Sequence, residues 1–340
     1  MKQQSFVVGL VAGAAAVLGG YQVIRSRHRI ELNGRTVVLT GGSRGLGLVL
    51  ARQFAEQGAR VCLLARDEDE LGRAAAQVAQ SGDTSVETYA CDIQSKTDVE
   101  RAIAKILKRH SAIDILVNNA GVIQVGPLEH MQTEDFENAM ATHFWGPLYL
   151  MQACLPAMKR RGFGRIVNVS SIGGRIAVPH LAPYSASKFA LVGLSDAIRA
   201  EVAAHGIRVT TVSPGLMRTG SPINASFKGQ QDQEFTWFAI ADSIPGISIG
   251  AERAARQILD ACRHGDPELT ISLPAKAAVL ASAVAPTVVA GLMAAAVRWL
   301  PGPTGPSGDS TERGRDTRSP WVPSLVTTLS DRAAVENNER

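Results

Sequence analysis

The segment from Thr36 to Gly47, TVVLTGGSRGLG, constrains the fold of this chain more than any other. It opens with branched apolar residues, a run typical of a strand that is buried on both faces. Glycines follow, and Leu46, Leu50 and Phe54 then recur at helical spacing. In a strand–turn–helix unit of this kind, main-chain N–H groups at the helix N-terminus can bind a pyrophosphate. The segment therefore predicts a phosphate-binding loop, although its G-x-x-x-G-x-G spacing differs from the usual dinucleotide motif.

The composition limits the possible partners. The 340 residues carry a net charge of +4, and 45% of them are hydrophobic. No basic run lies next to aromatic residues, so we expect no nucleic-acid binding, and no residue cluster predicts a metal site. The cysteines are widely spaced, which favours buried free thiols in a reducing compartment. They are Cys62, Cys91, Cys154 and Cys262.

From Arg35 onward, strand-like and helix-like segments alternate with short connections. The predicted strands are 36–40, 60–65, 85–90, 114–118, 165–170, 207–213 and 268–272. The predicted helices are 45–57, 67–80, 97–109, 133–160, 184–205 and 251–263. This alternation predicts an α/β fold with a single Rossmann-like, doubly wound parallel sheet of about seven strands and helices on both faces. The stretch 216–250 is too long for a plain connection, so we expect a lid or binding loop there.

An apolar segment, Phe6–Ile24, precedes this domain, and Arg25, Arg27 and Arg29 follow it directly. Its 19 residues suit a membrane-spanning helix. The arginines would keep the following domain on the cytoplasmic side. A cleaved signal peptide and a peripheral or disordered arm are the alternatives. We expect residues 1–30 to form a membrane anchor.

The part after the sheet differs in composition from the Rossmann-like domain, which is assigned residues 31–273. Ala277–Val297 is a second uncharged stretch and contains Pro286. It could span a membrane, lie in its interface, or pack on the domain or a partner subunit. We favour a surface-lying or subunit-packed helix pair over 274–300. Residues 301–340 are rich in Pro, Gly, Ser and mixed charge and are expected to be disordered.

The segment YSASK predicts the chemistry. It opens a helix, and its Tyr184 and Lys188 share one helical face. An ammonium near a phenol lowers the phenol pKa, so such a tyrosine can exchange a proton with a substrate oxygen near neutral pH. Ser171 lies thirteen residues earlier, at the carboxyl end of a predicted strand, where doubly wound folds bind ligands. An amphipathic helix with a surface tyrosine is the alternative for the Tyr–Lys pair alone.

Taken together, these motifs resemble the short-chain dehydrogenase/reductase family over roughly residues 33–272. The matching segments are Thr40–Gly47 (T-G-x-x-x-G-x-G), Asn118–Gly121 (N-N-A-G), Ser171 with Tyr184–Lys188 (Y-x-x-x-K), and Pro214-Gly215 with Thr219.

The resemblance implies a role for each matched residue. Tyr184 would be the general acid of carbonyl reduction or the base of alcohol oxidation, and Ser171 would steady the substrate oxygen. Lys188 would hold the ribose hydroxyls next to the nicotinamide. The cofactor would supply the hydride. The implied cofactor-binding residues are Gly41, Ser43, Arg44, Gly45, Leu46, Asp92 (adenine), Ile93, Asn119 (ribose), Tyr184, Lys188, Pro214, Gly215 and Thr219 (carboxamide).

One position departs from the family pattern. Family members commonly carry Asn where His143 stands, and that Asn is thought to shape a helix kink whose carbonyl holds a water in a relay to the lysine. A backbone role survives the change, and an imidazole could itself join the relay. The substitution is therefore either a tolerated one at a helix irregularity or a change in the proton path. We keep His143 as a candidate catalytic residue.

The cofactor preference follows from two arginines. NAD-specific sites usually place an acidic residue after the second strand. Here Arg66 ends that strand and Arg44 lies in the glycine loop, which suits a 2′-phosphate. Alternatively, Arg66 stacks on the adenine or pairs with Asp67 or Glu70. We expect NADP(H) rather than NAD(H).

The leading prediction is a membrane-associated, NADP(H)-dependent oxidoreductase acting on a carbonyl or secondary alcohol, assembled as a homodimer or homotetramer. The alternatives are a non-catalytic NADP(H)-binding sensor or scaffold, and an epimerase or dehydratase of the same fold. Apolar side chains of the 216–250 stretch either indicate an apolar substrate or pack the lid onto the core. They are Met217, Phe227, Phe235, Trp237, Phe238, Ile240 and Ile244.

Overall fold

A seven-stranded parallel sheet forms the centre of the protein. The computed structural model describes residues 19–339, apart from 21, 24, 83, 318, 320, 323, 325 and 326. The strands are β1 (Thr36–Thr40), β2 (Arg60–Ala65), β3 (Val86–Ala90), β4 (Ile115–Asn118), β5 (Gln124–Val125), β6 (Gly164–Val169), β7 (Ile207–Pro214), β8 (Met217–Arg218), β9 (Ser226–Phe227), β10 (Ile249–Gly250), β11 (Glu268–Ile271) and β12 (Glu312–Arg313). The main sheet has the order β11-β7-β6-β4-β1-β2-β3, which confirms the predicted doubly wound fold. The remaining short strands form a β8–β10 pair and a β5–β9–β12 sheet.

Helices cover both faces of the sheet. They are α1 (Gly45–Glu56), α2 (Glu68–Ala79), α3 (Lys96–His110), α4 (Thr133–Met140), α5 (Gly146–Arg161), α6 (Ala182–Val202), α7 (Gln231–Ser243), α8 (Ala251–His264), α9 (Leu273–Val284), α10 (Pro286–Ala296) and α11 (Thr328–Glu336). The single helix expected over 133–160 is interrupted by a π-helical turn, Ala141–Trp145, in which the Gly146 N–H donates to the Ala141 carbonyl. This turn carries His143 and so lies at the irregularity that the sequence led us to expect.

The central strands bury both of their faces, as β1 shows. Val37 and Leu39 belong to one core with α1, α2 and α8, whereas Val38 belongs to a second core with α3 and α5. All three side chains are fully buried. A shift of one residue would move Val38 into the first core and Val37 and Leu39 into the second, so the fit of each side chain to its own core specifies the register.

The four cysteines lie in these cores as free thiols. Burial raises the pKa of each thiol to about 11 or 12. The predicted inert, buried thiols are confirmed.

The strand order changes direction at β1, which pairs with β2 on one side and with β4 on the other. The chains leaving the two strands diverge to opposite faces of the sheet and open a crevice past their carboxyl ends. The glycine loop after β1 and the N-N-A-G segment after β4 therefore face each other.

The predicted anchor, Phe6–Ile24, lies almost wholly outside the described residues. Within the described part of the chain, no helix combines the length and the hydropathy needed to cross a bilayer. The residues after the anchor pack on the domain. Arg25 Nε donates to Asp266 Oδ1 at 2.8 Å, and Leu32 is fully buried. A domain boundary placed at residue 30 would therefore cut through these contacts.

The stretch after β11 forms the expected helix pair, α9 and α10, which meet at Pro286. The expected disorder of residues 301–340 is not observed in the described part of that stretch. Strand β12 pairs with β9, and α11 buries Ala334 completely. A polar segment of this composition lacks a core of its own, but it can fold by docking on a surface that the domain already provides.

Candidate active site

The glycine loop adopts a conformation that requires its glycines. Gly41 and Gly45 have φ of +63° and +56°, values that side chains other than glycine rarely adopt. A Cβ on Gly47 would overlap the carbonyl oxygen of Gly41. The loop therefore turns tightly into α1, which is the arrangement that a phosphate-binding helix N-terminus requires.

Hydrogen bonds brace this loop against the end of β4. Thr40 Oγ1 accepts from the main-chain N–H groups of Asn119 and Ala120, at 3.0 and 3.1 Å. The Asn119 side-chain amide donates to the Thr40 carbonyl at 3.1 Å. Asn119 thus fixes the position of the glycine loop, and it also lines the cavity next to that loop.

A cavity of about 810 Å³ runs from the glycine loop to Tyr184 and Lys188. Most of the predicted site residues line it: Gly41, Ser43, Arg44, Gly45, Leu46, Arg66, Asp92, Ile93, Asn119, His143, Tyr184, Lys188 and Thr219. Ser171, Pro214 and Gly215 are not among the described residues that line this cavity. The sequence therefore placed the loop and the Tyr–Lys pair at one site.

Tyr184 lies in the first turn of α6, and its side chain is hydrogen-bonded to Ser171. The Gly173 N–H donates to Ser171 Oγ at 3.0 Å and so fixes the serine hydroxyl. Burial raises the pKa of Tyr184, and the hydrogen bond with Ser171 lowers it only in part. The nearby charge of Asp242 raises it further. The expectation of a lowered tyrosine pKa is thus not met: burial of the phenol raises the pKa, and Lys188 is not among the groups that shift it.

Lys188 explains this outcome. Its Nζ donates to the Val169 carbonyl at 2.9 Å and lies 5.6 Å from the centre of the Tyr184 ring. Only 4% of the side chain surface is exposed, and burial lowers the lysine pKa to about 7. At neutral pH the amine is therefore only partly protonated and exerts a reduced electrostatic effect on the phenol.

His143 is fully buried, and both of its ring nitrogens have partners. Nε2 accepts from the Val122 N–H at 3.1 Å, so Nδ1 carries the proton and donates to Ser187 Oγ at 2.7 Å. Ser187 Oγ in turn donates to the Tyr184 carbonyl at 2.9 Å. Burial, and then the charge of Lys188, keep the His143 pKa well below its ordinary value. A neutral imidazole bonded in this way positions the start of α6, and the catalytic role of His143 stays a prediction.

The two arginines assigned to the cofactor differ in their surroundings. Arg44 Nη1 pairs with Glu70 Oε1 at 2.8 Å, and the Ser43 hydroxyl donates to the other Glu70 oxygen at 3.0 Å. The side chain of Arg66 is exposed at the edge of the cavity. Glu70 therefore pairs with Arg44. One alternative drawn from the sequence was that Glu70 pairs with Arg66.

The aromatic residues of 216–250 are mostly core residues. Phe227, Phe235 and Phe238 are buried in a third apolar cluster with Leu181, and the Phe227 and Phe235 ring centres are 5.5 Å apart. Of the seven apolar side chains named from the sequence, Met217 lines the cavity. Most of the seven side chains therefore pack the 216–250 stretch onto the core and do not contact the cavity.

Several cavity residues were not predicted from the sequence, among them Arg313, Arg315 and Glu339. They come from the stretch expected to be disordered, and no motif marks them. Ser187 was also missed, although its place between Tyr184 and Lys188 on the same helix could have drawn attention to it.

Comparison with known proteins identifies the family. A sequence model described as "short chain dehydrogenase" matches residues 35–229. Dehydrogenase/reductase SDR family member 7B of Danio rerio is 39% identical over 222 residues, which cover 64% of this chain and 72% of that protein. The chain belongs to the short-chain dehydrogenase/reductase family and is an oxidoreductase of that family.

Solved structures agree with this assignment. A metagenomic short-chain oxidoreductase in complex with NADP shares 28% identity, with a TM-score of 0.58, covering 72% of this chain and 97% of that one. L-sorbose reductase from Gluconobacter frateurii, complexed with NADPH and L-sorbose, shares 25% identity, with a TM-score of 0.64 and the same coverage.

The depressed pKa of Lys188 predicts a specific dependence of stability on pH. Between about pH 7 and pH 10 the unfolded chain keeps the lysine protonated while the folded one does not, so this group makes folding more favourable as pH rises. Relative to Lys188→Met, the wild type should gain roughly 2–4 kcal/mol of unfolding free energy over this range. Denaturant unfolding at several pH values measures the difference. The cysteines titrate in both proteins, so their contribution to the unfolding free energy cancels in the difference.

Lys105→Met, which removes an exposed lysine from α3, is the matched control and should track the wild type at every pH. Parallel pH profiles for wild type and Lys188→Met would contradict a depressed lysine pKa.

Proposed function

We propose that the protein is an NADP(H)-dependent oxidoreductase that interconverts a ketone or aldehyde with the corresponding alcohol. The observation that supports this best is that Tyr184 and Lys188 lie at one end of a cavity whose other end is the glycine loop, with Ser171 hydrogen-bonded to Tyr184. A residue able to exchange protons and a loop able to bind phosphates would then face the same space.

The residues present fit a nicotinamide dinucleotide. The loop offers main-chain N–H groups at the start of α1, next to the guanidinium of Arg44. Asp92, Asn119 and Thr219 provide polar groups along the cavity toward Lys188. When bound, the cofactor supplies or accepts the hydride.

Tyr184 acts as the proton donor in reduction. Because burial raises its pKa, the phenol is protonated at neutral pH and can give its proton to the carbonyl oxygen of the substrate. The Ser171 hydroxyl, held by the Gly173 N–H, stabilises the same oxygen as negative charge develops on it. In the reverse direction the phenolate takes the proton of the alcohol.

Lys188 supports this transfer from 5.6 Å away. When protonated, its ammonium stabilises the phenolate that remains after the proton has left. Ser187 and His143 fix the first turn of α6 and thereby the direction of the Tyr184 side chain. The substrate portion next to the carbonyl would contact Val122, Ile123 and Met217, which line the cavity and favour an apolar group there.

Two observations support NADP(H) over NAD(H). The related metagenomic oxidoreductase and L-sorbose reductase were solved with NADP and NADPH, respectively. In this chain, Arg44 and Arg66 border the cavity beside the end of β2, where the 2′-phosphate would lie.

Replacing the phenol with a phenyl ring isolates the proton transfer. Tyr184→Phe should lower kcat for carbonyl reduction at least a thousandfold while NADPH still binds, because only the transferable proton is removed. Tyr149→Phe, on α5 and outside the cavity lining, is the matched control and should retain wild-type turnover. A panel of ketones and aldehydes, followed by NADPH absorbance, provides the assay.

Retention of more than a few per cent of the rate by Tyr184→Phe would contradict the proposed acid. Tight NADPH binding without turnover of any compound by the wild type would instead favour the sensor or scaffold alternative. Product formation without net NADPH consumption would favour an epimerase or dehydratase.

The arginine assignment is tested by neutral replacements. Arg44→Gln and Arg66→Gln should each weaken NADPH binding about tenfold or more and NADH binding much less, because only NADPH carries a 2′-phosphate. Arg101→Gln, which removes an exposed arginine from α3, should change neither affinity. Equal losses for the two nucleotides would show that these arginines do not bind that phosphate.

We further propose that the α9–α10 pair lies against an anionic lipid surface on the cytoplasmic side. Its large apolar side chains point outward, with exposed fractions such as 80% for Leu273, 65% for Leu280 and 84% for Trp299. Between residues 273 and 308 the charged side chains are Lys276 and Arg298, both basic. Exposed Leu, Val and Trp together with basic residues are typical of helices that lie in a membrane interface.

Vesicle flotation tests this surface. A protein lacking residues 1–22, which keeps the Arg25–Asp266 contact, should still bind vesicles containing phosphatidylserine, because the helix pair remains. Adding Leu280→Ser and Leu292→Ser should release it. The same shortened protein with Leu128→Ser, another exposed leucine, should stay bound. A dimer that dissociates on the double substitution, with no vesicle binding, would assign this face to a subunit contact.

A further inference from the structure

Residues 328–339, which we call the arm, return to the glycine loop from the far end of the described chain. Helix α11 docks on the region around Gly220 and α7. Ser243 Oγ donates to Ser330 Oγ at 2.9 Å, and Ala334 is fully buried where a side chain on Gly220 would otherwise lie. The arm is therefore packed against the domain beside the cavity.

Past α11, the arm bonds directly to the loop. The main-chain N–H of Gly45 donates to the Asn337 carbonyl at 2.8 Å, and the Asn338 side-chain amide donates to the Ser43 carbonyl at 2.8 Å. Arg52 Nη2 donates a hydrogen bond to Asn337 Oδ1 at 2.9 Å. The Gly45 N–H opens α1 and is the type of group that binds a phosphate oxygen, so the arm uses a donor that a pyrophosphate would need.

Glu339 places a buried carboxyl group at the same position. Its carboxylate fills the space beside Gly45, and Oε2 lies 3.5 Å from Arg44 Nε. The Asn224 side chain donates to the Glu339 carbonyl at 2.9 Å. Only 6% of Glu339 is exposed. A buried anion between a helix N-terminus and an arginine occupies the position in which an anionic ligand would be bound.

We propose that Asn337, Asn338 and Glu339 form an internal lock that occupies the pyrophosphate site and has to leave before NADP(H) binds. This inference rests on the proposed function, because it assumes that the loop binds the dinucleotide. The lock competes with the pyrophosphate for the Gly45 N–H and with the 2′-phosphate for the Arg44 guanidinium. The arm thus sets the fraction of molecules that are competent to bind cofactor.

Glu339 stabilises the closed state only to a limited extent, so the lock can open reversibly. Burial raises the pKa of Glu339 to about 7, and the charge of Arg44 offsets this only in part. A buried carboxylate with incomplete compensation stabilises the closed state little. Departure of residues 337–339 from the loop breaks the hydrogen bonds from the Asn337 and Glu339 N–H groups to the Ala333 and Ala334 carbonyls of α11, whereas the Ser243–Ser330 contact lies outside the lock.

Binding measurements on three variants test the lock. A variant ending at Glu336 should bind NADPH about tenfold more tightly than the full chain, the gain expected if the arm occupies the loop about nine-tenths of the time. Glu339→Ala, which leaves α11 and the other arm contacts in place, should give a smaller gain in the same direction. Glu336→Gln, an exposed carboxylate on the same arm, is the matched control and should bind like wild type.

Hydrogen exchange provides a second measurement on the unaltered chain. Saturating NADPH should reduce the protection of the main-chain amides of residues 337–339, because the arm is displaced. Increased protection, together with weaker NADPH binding by the shortened variant, would overturn the lock and make the arm a wall of the cofactor site. Equal affinities of the full and shortened chains would also overturn it.

The outcomes separate the lock from the proposed function. If the shortened variant binds NADPH as the full chain does, the lock fails and the proposed function stands. If neither the full chain nor any variant binds NADPH or NADP⁺, the proposed function fails and the lock with it.

Discussion

The site depends on hydrogen bonds that join the ends of β1 and β4. Where the two strands diverge, their main chains can no longer pair with each other, and unpaired buried N–H groups would be costly. The hydroxyl of Thr40 accepts from two of these groups, and the Asn119 amide returns a bond to the Thr40 carbonyl. The crevice is therefore held open by satisfied polar groups, and the glycine loop keeps a fixed distance from the segment that faces it.

Burial controls the electrostatics at the other end of the cavity. The protein keeps Lys188 partly neutral, His143 neutral and Tyr184 protonated, in each case chiefly because burial disfavours the charged form. The charge that Lys188 can offer the phenolate of Tyr184 therefore depends on the protonation of the lysine itself.

Local patterns in the sequence were enough to predict the sheet, because its central strands carry apolar runs typical of burial on both faces and the segments between the strands show helical spacing. They also located Tyr184 and Lys188, whose spacing places them on one helical face. The pKa of Tyr184 was not predictable, because burial depends on the whole fold. Nor could an apolar run show whether Phe227 lines the cavity or the core. The role of Glu339 lies in contacts with residues at the other end of the described chain, and its polar surroundings are typical of disorder.

The arm also has a consequence for the order in which the protein is made. The Ser43–Asn338 hydrogen bond joins residues 295 positions apart. At roughly 5–20 residues per second, ribosomes add the arm about 15–60 s after the glycine loop. The loop leaves the ribosome while the arm does not yet exist. A nascent chain whose sheet has formed could therefore bind the nucleotide while its glycine loop is free. The arm can compete with the nucleotide only after the arm has been synthesised.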